Sequence, residues 1–382
     1  MTSEFGKNRY NRYGQPSLDL VFTGSKKSLK SRVGNQQVEL TRGSVGTYID
    51  ENGIIQTSNV NDPRFDHDPV TGESLGLLIE EERTNYVSNG NVTFTFGSNE
   101  TIVTPNAFTA PDGSNTATRV QASNSYVSIS QGTNSVPAGS TLTFSFYIYS
   151  AVEIPNFKSR ILYGSEILDT VKTIPAGKWT RFVSDAIVDD TGADTTFSCR
   201  PLTTINTFGV SSTDCYIWGF QVETGSFPTS YIPTTSSTVT RAADIATIEG
   251  TNFSSWYNQS EGTVFVDRTF NINNGQTYYF TDSTLTANRI RLEGINHYGN
   301  NSSDGSFFGG SVVGNKTALG LQTDNVSVNG GTPDTSFTMP SSLDRLFIGR
   351  HPTVSSYLNG HIARLTYWPT RLPDSDLQEL TQ

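Results

Sequence analysis

The stretch Leu142-Thr143-Phe144-Ser145-Phe146-Tyr147-Ile148-Tyr149 alternates without a break. Leu142, Phe144, Phe146 and Ile148 fall on one face, and Thr143, Ser145, Tyr147 and Tyr149 on the other. Successive side chains of a strand point to opposite faces, so a period of two marks a half-buried strand. Residues 178–183 (KWTRFV) and 216–223 (YIWGFQVE) read as two more strands. Pro137-Ala138-Gly139 and Pro175-Ala176-Gly177 are turns ahead of two of the three, since Pro fixes φ and Gly accepts a positive one. Residues 86–235 therefore predict one β-sandwich.

The composition points the same way. Charged residues are only 16% of the chain, and the polar remainder is rich in Ser, Thr, Asn and Gly. That mix disfavours long helices and favours strands joined by tight turns. Aromatics at 11% supply enough apolar surface for cores, which excludes a disordered chain. At 382 residues, two or three domains are expected. Two cysteines, Cys199 and Cys215, are too few for a disulfide framework, and free thiols fit assembly in a bacterial cytoplasm. Residues 1–20 are polar and basic with no apolar h-region, and no apolar run is long enough to span a membrane. No heptad run suggests a coiled-coil shaft.

Beyond residue 235 the pattern restarts. Residues 235–240 (TSSTVT) read as a polar linker, and residues 241–382 as a second sandwich, with strands near 263–266, 278–280, 319–321, 345–349 and 361–367. A short helix is expected near 374–380, capped by Asp374 or Ser375, with Gln378 placed as in a capping box. Residues 1–85 look irregular, with short strands near 19–22 and 38–40. The first 42 residues hold eight basic side chains against three acidic ones, a net of +5, so the other 340 carry −15. Such a basic arm is either a docking surface for an acidic partner, through Lys7, Arg9, Arg12, Lys26, Lys27, Lys30 and Arg32, or a solvated terminus.

Within that region, residues 63–85 (PRFDHDPVTGESLGLLIEEERTN) form a loop feeding a strand. Pro63, Pro69 and Gly72 punctuate turns, Leu75 to Ile79 is an apolar run long enough for one buried strand, and Glu80 to Glu82 end it in water. This wording, preceded by residues 41–53 (TRGSVGTYIDENG), resembles a signature of virion structural proteins of tailed bacteriophages. Residues 221–234 (QVETGSFPTSYIPT) resemble the close of a carbohydrate-binding-module jelly roll. Residues 357–381 resemble the end of a concanavalin A-like, laminin-G-like lectin fold. The resemblance implies an all-β chain: two tandem jelly-roll/concanavalin A-like β-sandwiches after an irregular N-terminal docking module. It also implies a virion component, assembled in the host cytoplasm, that displays lectin-like domains for host attachment. A tail fibre or tail-associated protein is the first reading, and a capsid decoration or head-fibre protein the second. Other virion proteins, further copies of itself in a homotrimer and a host glycan are the implied partners. Neither nucleic acid nor membrane is expected.

Chemistry is sparse. Gly72-Glu73-Ser74-Leu75-Gly76 satisfies G-x-S-x-G, but the nucleophile elbow needs a strand before the serine and a helix after it. No E-x-D-x-x-E spacing suggests a glycan-cleaving carboxylate set, so a polysaccharide depolymerase is the weakest reading and no enzyme activity is expected. Asp66-His67-Asp68 reads as a turn rather than a metal site, because neighbouring side chains diverge. No cofactor is expected. Calcium on loop acids such as Asp282, Asp304 and Asp324 is left open. The glycan platform is expected in the third module, on Trp256, Tyr257, Tyr278, Tyr279, His297 and Tyr298, with core packing as the competing reading.

Overall fold

The computed structural model describes residues 12–88, 93–96, 102–122, 127–163, 166–188, 195–202, 213–270, 275–285, 288–301, 304–308 and 315–382. The chain is all-β, with strands paired antiparallel into sheets and only short helices among the described residues. It divides into two units. The first comprises residues 1–52, 58–81 and 242–382, and the second residues 53–57 and 82–241.

The second unit is a sandwich of two sheets. One runs, by neighbouring strands, Thr180–Val183, Thr141–Tyr149, Thr213–Thr224, Ala117–Ala122, Ile102–Phe108. The other runs Glu166–Ile174, Ile154–Tyr163, Thr195–Leu202, Val127–Val136, Thr93–Phe96. The 141–149 strand forms, and Leu142, Phe144, Phe146 and Ile148 are all fully buried, but the expected half-buried pattern is corrected, because Thr143, Ser145 and Tyr147 on the other face are covered as well. The four apolar residues meet Phe157, Ile161 and Tyr163 of the opposite sheet in one core. Cys215 lies in that core as a free thiol, and burial pushes its pKa up to about 12. The side chain of Cys199 lies outside the described residues.

The first unit is also a sandwich. Among the described residues its two main sheets contain seven strands each. One carries Glu261–Phe270 and Gly360–Trp368 at its centre, and the other Arg345–Ile348 and Gln276–Thr281. Leu18, Leu20, Phe22, Leu77 and Ile79 share its core with Ile248, Phe280, Leu346 and Leu365.

Those first five residues correct the expected boundary of a separate module at 1–85. Leu18–Val21 pairs with Arg364 to Tyr367, and Ser74–Ile79 pairs with Ile362 to Gly360. Glu39–Thr41 pairs with Ile245–Glu249 in the other sheet. The apolar residues of the segment have no core of their own and are buried as strands of the C-terminal sandwich. The expected linker at 235–240 is corrected too, because Val239–Arg241 is a strand paired with Arg83–Asn85. The C-terminal helix spans Asp374–Leu380, but Pro373 is its N-cap and no side chain caps it. Gln378 instead donates to the Gly330 carbonyl (2.9 Å).

Candidate functional site

The expected platform in the first unit is mostly core. Trp256, Tyr257, Tyr278, Tyr279 and His297 are 3, 8, 0, 0 and 1% exposed, so no sugar reaches their faces. Trp256 and Tyr257 pack on Phe253 with ring centres 4.9 and 4.8 Å away, and both contact Tyr367. His297 bridges the Tyr278 hydroxyl (2.8 Å) and Thr317 Oγ1 (2.9 Å) inside the sandwich. Tyr298 alone of the six is half-buried, with the Arg291 guanidinium over its ring at 4.7 Å.

The docking residues scatter. Lys7 and Arg9 lie outside the described residues. Arg12 pairs with Glu379 (2.6 Å) and Asp376 (3.9 Å) of the C-terminal helix. Lys27 Nζ approaches His67 Nε2 (3.1 Å), while Lys26, Lys30 and Arg32 are exposed.

The signature residues 63–85 hold a buried ion network instead. Glu80, expected in water, is 4% exposed. It accepts from Arg64 Nη1 (2.8 Å), and Arg64 Nη2 donates to Asp244. Arg42 reaches the other Asp244 oxygen (3.0 Å) and the carbonyls of Ser44, Asn59 and Asp62. Burial alone would pull the Arg64 pKa down, but Asp244 and Glu80 outweigh it and the net shift is upward. A Cβ on Gly46 would stand 3.1 Å from both Arg42 Nε and Arg64 Cδ, so the glycine leaves room for both arginines. His67 pairs with Ser74 across its strand, yet its ring nitrogens meet the Ile49 carbonyl (2.9 Å) and Lys27, so they do not activate the serine. Asp66, expected in a turn, is in a strand and bonds His361 (2.8 Å). This network holds the fold and presents no open surface for a ligand.

An open aromatic surface lies on the second unit. The outward residues of three adjacent strands fall into cross-strand rows. Tyr149 sits opposite Tyr216, and Tyr147 is flanked by Trp218 on one side and Arg181 on the other. Phe108 stacks on Tyr216 (ring centres 4.4 Å apart) and lies 4.9 Å from Tyr149. Trp179 is 5.8 Å from Tyr149. Phe108, Tyr149, Trp179, Tyr216 and Trp218 are all partly exposed. The indole N–H groups are held, Trp179 to the Thr109 carbonyl (3.1 Å) and Trp218 to Thr116 Oγ1 (3.0 Å), which fixes both ring planes. Arg119 and Asp214 form an exposed bidentate pair beside Tyr216 (2.9 and 2.5 Å).

The rest of that face is closed. Thr143, Ser145 and Tyr147 point outward but are 1, 0 and 8% exposed. Arg181 covers Tyr147 with its guanidinium 5.6 Å from the ring, and Trp218 and Tyr231 pack alongside. Gly219, at φ +66°, makes a bulge that turns Phe220 and Val222 inward. The sheet thus opens at one end as a row of rings with polar groups at its rim. Partly exposed aromatics grouped in this way mark a candidate contact surface.

The sequence reading missed Phe108, Tyr149, Trp179, Tyr216 and Trp218 as candidate site residues. The signal was present, since the alternation that buries Phe144 and Ile148 puts Tyr149 outside. The same alternation about Cys215 and Ile217 puts Tyr216 and Trp218 outside.

No protein-family profile and no curated protein sequence matches the chain. Among solved structures, it is similar to domain 4 of AbnA, a GH43 extracellular arabinanase from Geobacillus stearothermophilus, in complex with arabinotriose. That match has 12% identity over 42% of this chain and 84% of that one, with a TM-score of 0.28. It is similar to the CBM22-1–CBM22-2 tandem domain of Paenibacillus barcinonensis Xyn10C (9% identity, 77% and 92% covered, TM-score 0.27). It is also similar to Trypanosoma rangeli sialidase (9% identity, 72% and 52% covered, TM-score 0.26). At such TM-scores the likenesses carry no argument, and the architecture rests on the strand pairings above.

Proposed function

We propose that the protein binds glycans through the outer aromatic face of its second unit. The observation that carries this reading is the row of partly exposed rings on Phe108, Tyr149, Trp179 and Tyr216. Sugar rings present apolar C–H faces that stack on such surfaces, while rim groups such as Arg119, Asp214 and Gln121 bond the hydroxyls. The signature at residues 63–85 supports placing this activity on the particle of a tailed bacteriophage, as a tail-associated display protein, homotrimeric, that attaches to a host surface. A map of the particle locates the chain on tail or head, and light scattering gives its copy number.

The glycan reading is tested by Tyr149→Ala and Trp179→Ala on a glycan array. Each substitution is expected to weaken binding about tenfold or more, the scale of an aromatic anchor, with the melting temperature nearly unchanged. Unchanged binding in both variants rejects the site.

A further inference from the structure

The aromatic row ends in positive charge. Arg181 follows Trp179 by two residues, and both lie on the outer side of the sheet, Trp179 against Tyr149 and Arg181 over Tyr147. The guanidinium is already fixed: it lies over Tyr147, and Nη2 donates to Ser145 Oγ (3.1 Å). Among the described residues Arg181 makes no ion pair, and its Nε is buried without a hydrogen-bond partner. Lys178, exposed on the other side of Trp179 in sequence, likewise makes no ion pair among the described residues. The contrast with the rest of the molecule is informative. The chain has net charge −10, so carboxylates are in excess. Arg119 on the same face and Arg160 on the opposite sheet each hold an aspartate through two hydrogen bonds. Among the described residues two cations thus stand without a carboxylate beside the partly exposed rings, and such a face is complementary to an anion.

We propose that the site takes acidic saccharides, glycans carrying a uronate or other sugar carboxylate. The sugar ring stacks on Trp179 and Tyr149, and the carboxylate accepts hydrogen bonds from Arg181. A guanidinium matches the planar carboxylate geometrically, and one already held in place loses little freedom on binding. This inference rests on the glycan-binding reading above and narrows it to a substrate class.

The test uses the full chain and an array of uronate oligosaccharides of several backbones, each beside its methyl ester. Esterification removes the charge and leaves the backbone intact. At low salt the acid form is expected to bind about tenfold more tightly than the ester, the scale of one charge-assisted hydrogen bond. Arg181→Gln is expected to weaken acid binding far more than ester binding and so to abolish that preference, and Arg181→Lys to keep part of it. Equal binding of acid and ester overturns the inference, as does equal weakening of both by Arg181→Gln. If neutral glycans bind in a Tyr149-dependent way and acids gain nothing, the acidic class is wrong and the glycan-binding site stands. If no glycan binds, both fall.

Discussion

At the scale of single residues, His297 shows how burial turns a polar side chain into a pH-dependent structural part. It is enclosed between Tyr278 and Thr317, and burial, helped by the charge of Arg268, pushes its pKa down to about 3. Burial and the nearby arginines 291, 289 and 350 push His351 down to about 4. In the unfolded chain both rings titrate near 6.5. Between those values the unfolded state binds more protons, so stability is full above pH ~6.5 and is lost as pH falls toward the folded pKa values. The slope is about 1.4 kcal/mol per pH unit for each ring. Denaturant midpoints measured between about pH 6 and pH 4 are expected to fall steadily, and His297→Gln to flatten the trend. A flat wild-type profile would show that these rings are not buried neutral. The same enclosure explains why the expected platform was misplaced. The strand Gln276–Thr281 is buried at every position, so alternation cannot separate Tyr278 from Tyr279. Trp256 and Tyr257 follow Phe253 by three and four residues beside a short helix, a spacing that puts them on one packed face. Tyr149, Tyr216 and Trp218 were legible in principle because they alternate with Ile148, Cys215 and Ile217, which are buried, at the end of the sheet where the outer face is open.

At the scale of elements, the signature at residues 41–85 is a set of clasps. Its loop and its apolar strand were readable from turn residues and the Leu75–Ile79 run. Its chemistry was not, because Asp244 lies 180 residues beyond Arg64 and 202 beyond Arg42. Local spacing carries no trace of a partner so far along the chain. Asp244 faces two buried guanidinium groups and accepts the Glu80 N–H (3.0 Å). Asp244→Ala removes the carboxylate that Arg42 and Arg64 share and leaves Glu80 alone to balance Arg64, and a loss of about 3–5 kcal/mol is expected in equilibrium unfolding. A loss under about 1 kcal/mol would mean that the network is solvated. Asn85 performs the matching task in the second unit. Fully buried, it donates to the carbonyls of Phe220 and Ile232 and accepts from the N–H groups of Val87 and Val222. Asn85→Ala strands four backbone groups away from water, at a cost of about 1–3 kcal/mol for each one left unsatisfied. A marginal fall in the second unit's stability would show that water reaches them.

At the scale of the whole molecule, the order of the chain differs from the order of its units. Sequence reading divides the chain at 85 and 241 because composition and turn signals change there. Contacts place the early strands differently, since long-range pairing depends on which apolar face lacks a cover. Leu18–Val21 and Ser74–Ile79 both hydrogen-bond to the Gly360–Trp368 strand, and Leu18, Leu20, Leu77 and Ile79 are fully buried against it. Removing residues 1–85 therefore takes away strands of the C-terminal sandwich as well as a basic arm. A chain of residues 86–382 is expected to lose the cooperative transition of the first unit, and residues 242–382 alone to remain unfolded or aggregate through bare sheet edges. Residues 82–241 expressed alone are expected to keep a cooperative melt and the glycan affinity of the full chain, because every strand of the aromatic sheet lies within them. Calorimetry of the three chains decides the matter. If residues 242–382 melt cooperatively on their own, the early strands are a peripheral addition, and the basic arm regains its standing as an independent docking module. If they do not, loss of particle attachment on deleting residues 1–85 reports a broken sandwich rather than a missing contact. Substitutions at Lys26, Lys30 and Arg32, exposed and away from the ion network, then test docking without disturbing the fold.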